Sequence, residues 1–180
     1  MAESHPNYGT APDFQLVDQE GEQFGRRDLD GKIWVANFIF TRCQGICPLM
    51  SGQFSSLQEK LSADAILVSF SVDPTYDTPK ILSAYAARFK AQSGRWIFLT
   101  GKENVIRNLI TEGFRLGVEK ASDEDLKAGA EPVMHSNRFV LADQAGRIRG
   151  YYDASDPAKI EELVQAVHQL QTTKSESRSK

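Results

Sequence analysis

The chain contains little cysteine, no long hydrophobic run and no excess of charge of one sign. Only two cysteines occur among 180 residues, which excludes a disulfide scaffold, and a domain of this length can bury a sufficient core without one. The longest apolar run, Ile33 to Phe40, is too short to span a bilayer and contains Asn37. The first residues do not have the basic-then-apolar pattern of a secretory signal peptide. The net charge of −3, with 21 scattered Lys and Arg, does not indicate nucleic-acid binding.

The pattern of apolar residues predicts strands that alternate with helices. Segments 33–40 and 65–71 are almost continuously apolar, which is typical of strands buried on both faces. In chain order we predict a hairpin over 14–24, strand 33–40, a helix after the cysteines, strand 65–71, helix 78–89, strand 96–99, a helix around 105–110, a polar surface loop over 119–131, a hairpin over 138–153 and a last helix from 157. This order predicts an α/β fold with a mixed central sheet flanked by helices, whose ligands bind beyond the carboxyl ends of the parallel strands.

The chain contains no internal repeat and no change of composition that would divide it. We therefore predict one domain over residues 12–171, a flexible N-terminal segment over 1–11 and a disordered tail over 172–180, where the sequence TTKSESRSK is polar throughout. Four large aromatic residues are predicted to belong to the core rather than to a cofactor site: Trp34, Phe38, Phe40 and Trp96.

Both cysteines lie in the segment TRCQGICPLM, directly after the first buried strand. A disulfide between Cys43 and Cys47 would close a loop of about five residues and contribute only about 2 kcal/mol, so reactivity explains the pair better than stability does. If Cys47 opens a helix, the helix dipole favours its thiolate form, and Cys43 four residues earlier can lie on the same helical face. Such a pair can form a reversible disulfide or bind a soft ion such as Cu(I) or Zn²⁺, whereas Mg²⁺ and Ca²⁺ require oxygen ligands.

A metal site here would need a third ligand, and the chain has three histidines. His5 lies in the polar N-terminal stretch, and His168 lies in the predicted last helix, where a solvated or packing role is the better interpretation. His135, in EPVMHSNRFV, lies at the start of the second predicted hairpin, just after Pro132. A single histidine at a strand edge is more often a hydrogen-bonded surface residue, so the residues alone leave both roles open for His135.

Two aspartates follow the second buried strand, in SVDPTYDTP. One interpretation is turn chemistry, in which Asp73 before Pro74 starts a turn and Asp77 caps the helix entered at Thr78. The other is a carboxylate that orients His135 or steers a partner. We favour the capping role for Asp77 and leave Asp73 open between the two.

Four segments of the chain, taken together, resemble the Sco/SenC family of copper-binding cytochrome c oxidase assembly proteins. They are FTRCQGICP, SVDPTYDTP, WIFLTG and MHSNRFVLADQAGRIRG, in this order, and the resemblance covers the chain from about Pro12 to Leu170. The CxxxC spacing alone is weakly specific, but CxxxC followed by DPxxDTP and by a histidine before FVLxDxxGxIRG is highly specific. Gln44 and Gly45 stand where the family's loop usually has proline and often an acidic residue, which frees the backbone and removes a negative charge beside the cysteines.

The resemblance implies a thioredoxin-like fold and makes Cys43, Cys47 and His135 the ligands of copper, as Cu(I) or Cu(II). It also implies copper delivery to the binuclear copper site of oxidase subunit II, with other copper carriers as further partners. The expected setting is extracytoplasmic, at the periplasmic face, with the protein held by a membrane anchor outside this chain.

Three functions from different classes are consistent with these residues. The first is a copper-binding assembly factor, a metal carrier rather than an enzyme. The second is a thiol–disulfide oxidoreductase that uses Cys43 and Cys47 as a redox pair to reduce the copper-site cysteines of the oxidase subunit. The third is a peroxiredoxin-type peroxidase, but such enzymes have Thr three residues before the reactive Cys, where this chain has Phe40. Disulfide exchange does not require His135, so this histidine favours the copper function.

Overall fold

The computed structural model describes residues 5–116, 119–120, 123, 127 and 134–177. The strands are β1 Gln15–Asp18, β2 Gln23–Gly25, β3 Ile33–Ile39, β4 Ala65–Ser71, β5 Trp96–Thr100, β6 Glu119–Lys120, β7 Met134–His135, β8 Arg138–Ala142 and β9 Ile148–Asp153. The α-helices are α1 Ile46–Lys60, α2 Pro79–Arg88, α3 Glu103–Asn108 and α4 Pro157–Ser177, with a 3₁₀ turn over Arg26–Leu29 and a π turn over Leu109–Gly113. The predicted α/β class is confirmed, and every described helix is too short or too polar to span a bilayer.

Seven of the strands form one mixed sheet in the order β2-β1-β5-β4-β3-β8-β9. The three central strands β3, β4 and β5 are parallel, and the remaining pairs are antiparallel. The carboxyl ends of β3 and β4 therefore meet at one edge, where Ile39 is in register with Ser71. Strands β6 and β7 form a separate two-stranded ribbon, in which Glu119 lies opposite His135.

The predicted surface loop over 119–131 lies mostly outside the described residues. Its first two residues, Glu119 and Lys120, form β6, so the prediction of a loop is wrong at these positions. A two-residue strand is too short to show an alternating pattern, and its partner β7 lies far along the chain.

The hydrophobic core lies on both faces of the central sheet. Every residue of β3 and β4 is buried, as their continuous apolar sequences predict. The four aromatic residues predicted to be core, Trp34, Phe38, Phe40 and Trp96, are fully buried. Phe54 of α1 packs its ring 5.6 Å from that of Trp96 and 4.7 Å from that of Phe139, which fixes α1 against the sheet.

The N-terminal end of the described chain contacts the second hairpin. The N–H groups of Tyr8 and Ala11 donate to the carbonyl oxygens of Ile148 and Gly146, at 3.0 and 2.7 Å. Helix α4 continues to Ser177. The domain boundaries, the flexibility of residues 1–11 and the disorder of residues 172–180 stay predictions.

Candidate metal centre

The two cysteines lie in residues 40–47, which connect β3 to α1 and include the first two residues of α1; we call this segment the cysteine loop. Cys43 and Cys47 are present as thiols, with exposed fractions of 5% and 0%. The N–H of Cys43 donates to the carbonyl oxygen of Phe40 at 3.1 Å, and Cys47 is the second residue of α1. The cysteine loop thus begins at the carboxyl end of a central parallel strand, where the fold predicts a ligand site.

The predicted geometry of the pair is wrong in one respect. Helix α1 begins at Ile46, so Cys43 precedes it and the two cysteines do not share a helical face. Gly45 lies just before the helix with φ −99° and ψ −114°, outside the helical region, and so ends any helix that would extend back to Cys43. Cys47 lies in the first turn, as predicted, whereas Cys43 depends on the conformation of the loop.

Asp77 anchors the start of the cysteine loop. Its carboxylate accepts hydrogen bonds from the Thr41 hydroxyl, from the Thr41 N–H at 3.2 Å and from the Ser71 hydroxyl at 2.7 Å. Asp77 is fully buried. The helix cap of α2 is instead Thr78, whose hydroxyl accepts from the N–H of Ile81 at 3.4 Å, so the capping role favoured for Asp77 is wrong.

Burial raises the pKa of the Asp77 carboxyl above its ordinary value, although the hydrogen bonds from Thr41 and Ser71 act in the opposite direction; the negative charge of Asp73 adds to the rise. The folded state therefore holds this proton to a higher pH than the unfolded chain does. The contribution of the protonated Asp77 carboxyl to stability is complete at pH values below its ordinary pKa of 3.8. It is lost as the pH rises through the raised pKa of the folded state.

We expect the free energy of unfolding of the parent to fall relative to that of Asp77→Asn as the pH rises above the ordinary value of 3.8, because the variant lacks this titration. Urea unfolding at several pH values measures both proteins. Two curves that stay parallel across this range would contradict the raised pKa.

Asp73 anchors the next residue of the same loop. One of its carboxylate oxygens accepts from Arg42 Nε at 3.0 Å and from Arg42 Nη2 at 2.7 Å. The guanidinium of Arg42 also lies 4.1 Å from the ring centroid of Tyr76, whose side chain is exposed. The open question about Asp73 is answered in part, because its described ion pair is with the residue that precedes Cys43.

A buried pair of hydroxyl groups lies one helical turn after Cys47. Ser51 is fully buried, and its Oγ lies 2.8 Å from the hydroxyl oxygen of Tyr85 on α2. Burial raises the pKa of Tyr85, the hydrogen bond with Ser51 acts in the opposite direction, and the electrostatic interaction with Cys47 and Cys43 adds to the rise. The tyrosine hydroxyl is therefore protonated and lies within electrostatic range of the cysteines.

The third predicted ligand, His135, ends β7 shortly before β8 begins at Arg138. Its side chain lies outside the described part of the chain, so its role as a ligand stays a prediction. Among the side chains that the structure describes, no group of three or more His, Cys, Asp or Glu is arranged to bind a metal ion.

The sequence interpretation missed the anchors of the cysteine loop. Thr41 and Arg42 follow β3, and Asp73 and Asp77 follow β4, its parallel neighbour. Polar residues just beyond the carboxyl ends of two adjacent parallel strands are the pattern that could have indicated these contacts.

The mixed α/β sheet, with Cys43 after a central strand and Cys47 in the first turn of the next helix, places this protein in the class of thioredoxin-like folds. The family model described as SCO1/SenC matches residues 2–172. The chain therefore belongs to the SCO1/SenC family, as its motifs predicted.

Relatives match the chain over most of its length. The SCO1 protein homolog of Bacillus subtilis (strain 168) is 33% identical over 172 residues, which cover 93% of this chain and 86% of that protein. The SCO1/SenC family lipoprotein from Bacillus anthracis str. Ames has a TM-score of 0.80 and 32% identity, with coverage of 95% of this chain and 99% of that one.

Two further solved structures are similar to this chain. BsSco, described with a disulfide switch and as a member of the Sco family of cytochrome c oxidase assembly proteins, has a TM-score of 0.78 and 31% identity, with coverage of 94% and 97%. The copper-bound ScoI of Bradyrhizobium japonicum has a TM-score of 0.72 and covers 89% of this chain and 99% of its own; at 24% identity this likeness shows the fold alone.

Proposed function

We propose that this protein binds one copper ion through Cys43, Cys47 and His135 and delivers it to the binuclear copper site of cytochrome c oxidase subunit II. The observation that carries the proposal is the pair of buried thiols at the carboxyl end of β3, one on an anchored loop and one in the first turn of α1. Two sulfur donors in an apolar setting fit the preference of Cu(I) for soft ligands and low coordination. His135 would supply the nitrogen ligand that Cu(II) favours.

Membership of the SCO1/SenC family supports this proposal. BsSco is described as belonging to a family of cytochrome c oxidase assembly proteins, and ScoI of B. japonicum has been solved with copper bound. Subunit II and other copper carriers as partners are part of our proposal. So is an extracytoplasmic setting with a membrane tether, which the lipoprotein from B. anthracis supports.

A second candidate function is reduction of the copper-site cysteines of the oxidase subunit by the Cys43–Cys47 pair. The disulfide switch described for BsSco supports it, because thiols that bind Cu(I) can also exchange disulfides. The two functions differ in whether the protein must hold the metal itself.

Titration of the reduced protein with Cu(I) against a competing chelator tests the first function. We expect a one-to-one complex whose affinity falls as the pH falls, because protons compete for both sulfurs and for the imidazole. Protein with both thiols alkylated is the control. A reduced protein that takes no Cu(I) from the chelator, yet reduces an oxidised peptide carrying the copper-site cysteines of subunit II, would establish the second function instead.

A further inference from the structure

We propose that Asp77 is a positioning residue that keeps Cys43 buried by fixing the strand end from which the cysteine loop starts. The inference rests on the proposed function only in taking Cys43 and Cys47 as the reactive pair. It concerns the metal-free, reduced protein, so it can be tested whether or not copper is the cargo.

The carboxylate of Asp77 joins three segments of the fold. Both hydrogen-bonding groups of Thr41, at the end of β3, donate to it, as does the hydroxyl of Ser71, the last residue of β4. Asp77 itself directly precedes Thr78, the N-cap of α2. Its own N–H donates to the carbonyl oxygen of Asp73 at 2.9 Å, which closes the turn that presents the carboxylate. Because Asp77 is fully buried, water cannot replace a lost partner without opening this region.

These contacts restrain the two cysteines unequally. Thr41 lies two residues before Cys43, and Gly45, which favours no single backbone conformation, separates Cys43 from the helix. Cys47 belongs to α1, which is held against the sheet by the fully buried Met50 and Phe54. Loss of an Asp77 contact should therefore release the side of the loop that carries Cys43 and leave Cys47 in place.

The salt bridge between Arg42 and Asp73 is a weaker attachment of the same loop. The Arg42 side chain is 23% exposed, so water and salt screen this pair more than they screen the Asp77 contacts. The Asp77 contacts are therefore the ones whose removal should change the exposure of Cys43 most.

The test is alkylation of the reduced, metal-free protein with iodoacetamide, followed by peptide mass spectrometry that gives a separate rate for each cysteine. Thr41→Val removes the hydroxyl donor and keeps the backbone one. We expect it to raise the ratio of the Cys43 rate to the Cys47 rate by about fivefold, because a lost hydrogen bond to a buried carboxyl group increases the open population by about that factor. Thr41→Ser keeps the hydroxyl and should restore the parent's ratio.

Ser69→Ala is the matched control for general destabilisation. Ser69 accepts a buried hydrogen bond from Trp96 Nε1 at 2.9 Å on the same strand as Ser71 but does not bind Asp77. Global unfolding exposes both cysteines together, so this variant should keep the ratio within about twofold of the parent's. If Thr41→Val does not fold, Ser71→Ala removes another donor to Asp77 and should raise the ratio in the same direction. An unchanged ratio in the folded variant, or equal ratios for Thr41→Val and Ser69→Ala, would show that Asp77 does not position Cys43.

Discussion

Replacing either cysteine by serine is expected to lower the Cu(I) affinity by more than about a hundredfold. Substitution of a group behind a metal ligand typically costs about 10–100-fold, and loss of a sulfur ligand from a Cu(I) site should exceed this range. A serine hydroxyl is a hard, protonated oxygen that Cu(I) binds poorly, so each variant is left with one sulfur. Competition with a chelator of known Cu(I) affinity measures the loss for Cys43→Ser and Cys47→Ser separately.

Folding of the cysteine variants needs its own control. Cys47 is fully buried in α1, so its replacement by serine buries a hydroxyl that must find a partner. Ser51→Ala, one turn later on the same helix, removes a buried hydroxyl from Tyr85 and should destabilise the fold while keeping the Cu(I) affinity within about tenfold of the parent's. If Cys43→Ser and Cys47→Ser both fold and both bind Cu(I) as tightly as the parent does, the assignment of the sulfur ligands is wrong.

The central strands of the sheet could be predicted because neighbouring residues in the sequence determine them. Segments 33–40 and 65–71 are almost uniformly apolar, and only a strand covered on both faces buries such a segment without exposing hydrophobic side chains. The start of α2 was predicted to within one residue, because Pro79 needs no hydrogen-bonded N–H in a first turn, although its cap is Thr78 rather than Asp77. These features follow from neighbouring residues and do not depend on the rest of the fold.

The anchors of the cysteine loop could not be predicted in the same way. Asp77 and Thr41 are separated by 36 residues, and DPTYDTP by itself has the composition of a turn before a helix. The neighbouring residues are also consistent with Asp77 as the N-cap of α2. Only the parallel register of β3 and β4 brings Asp77 to Thr41. The prediction for Asp77 failed because a contact with a residue distant in sequence, rather than its neighbours in the chain, determines its role.

The position of the two cysteines in the fold was predictable, but their relative geometry was not. The cysteines follow a buried parallel strand, and this places them at the edge of the sheet where folds of this class bind ligands. The spacing of the cysteines suggested one helical face, but Gly45 leaves the helical region and the helix begins at Ile46. The arrangement of the two sulfurs is therefore determined by the loop and its anchors rather than by helical periodicity.

His135→Ala separates copper delivery from thiol exchange. The variant keeps both sulfurs, so a two-thiolate site should still hold Cu(I), with a loss of about tenfold. Cu(II) prefers nitrogen and oxygen ligands, and we expect its affinity to fall by more than about a hundredfold. The reduction potential of the Cys43–Cys47 pair should change little, because disulfide exchange needs the two cysteines alone. The affinities for both ions and the equilibrium with glutathione should be measured on the same purified variant.

The matched control for His135 is His168→Ala, which removes an exposed histidine from α4 and should change none of these quantities. Cells carrying His135→Ala should lose cytochrome c oxidase activity if the protein works by handling copper. They should keep it if the protein works only as a dithiol reductase, because that chemistry survives in the variant. Loss of both Cu(I) and Cu(II) binding together with normal oxidase activity would therefore exclude copper delivery and favour the reductase function.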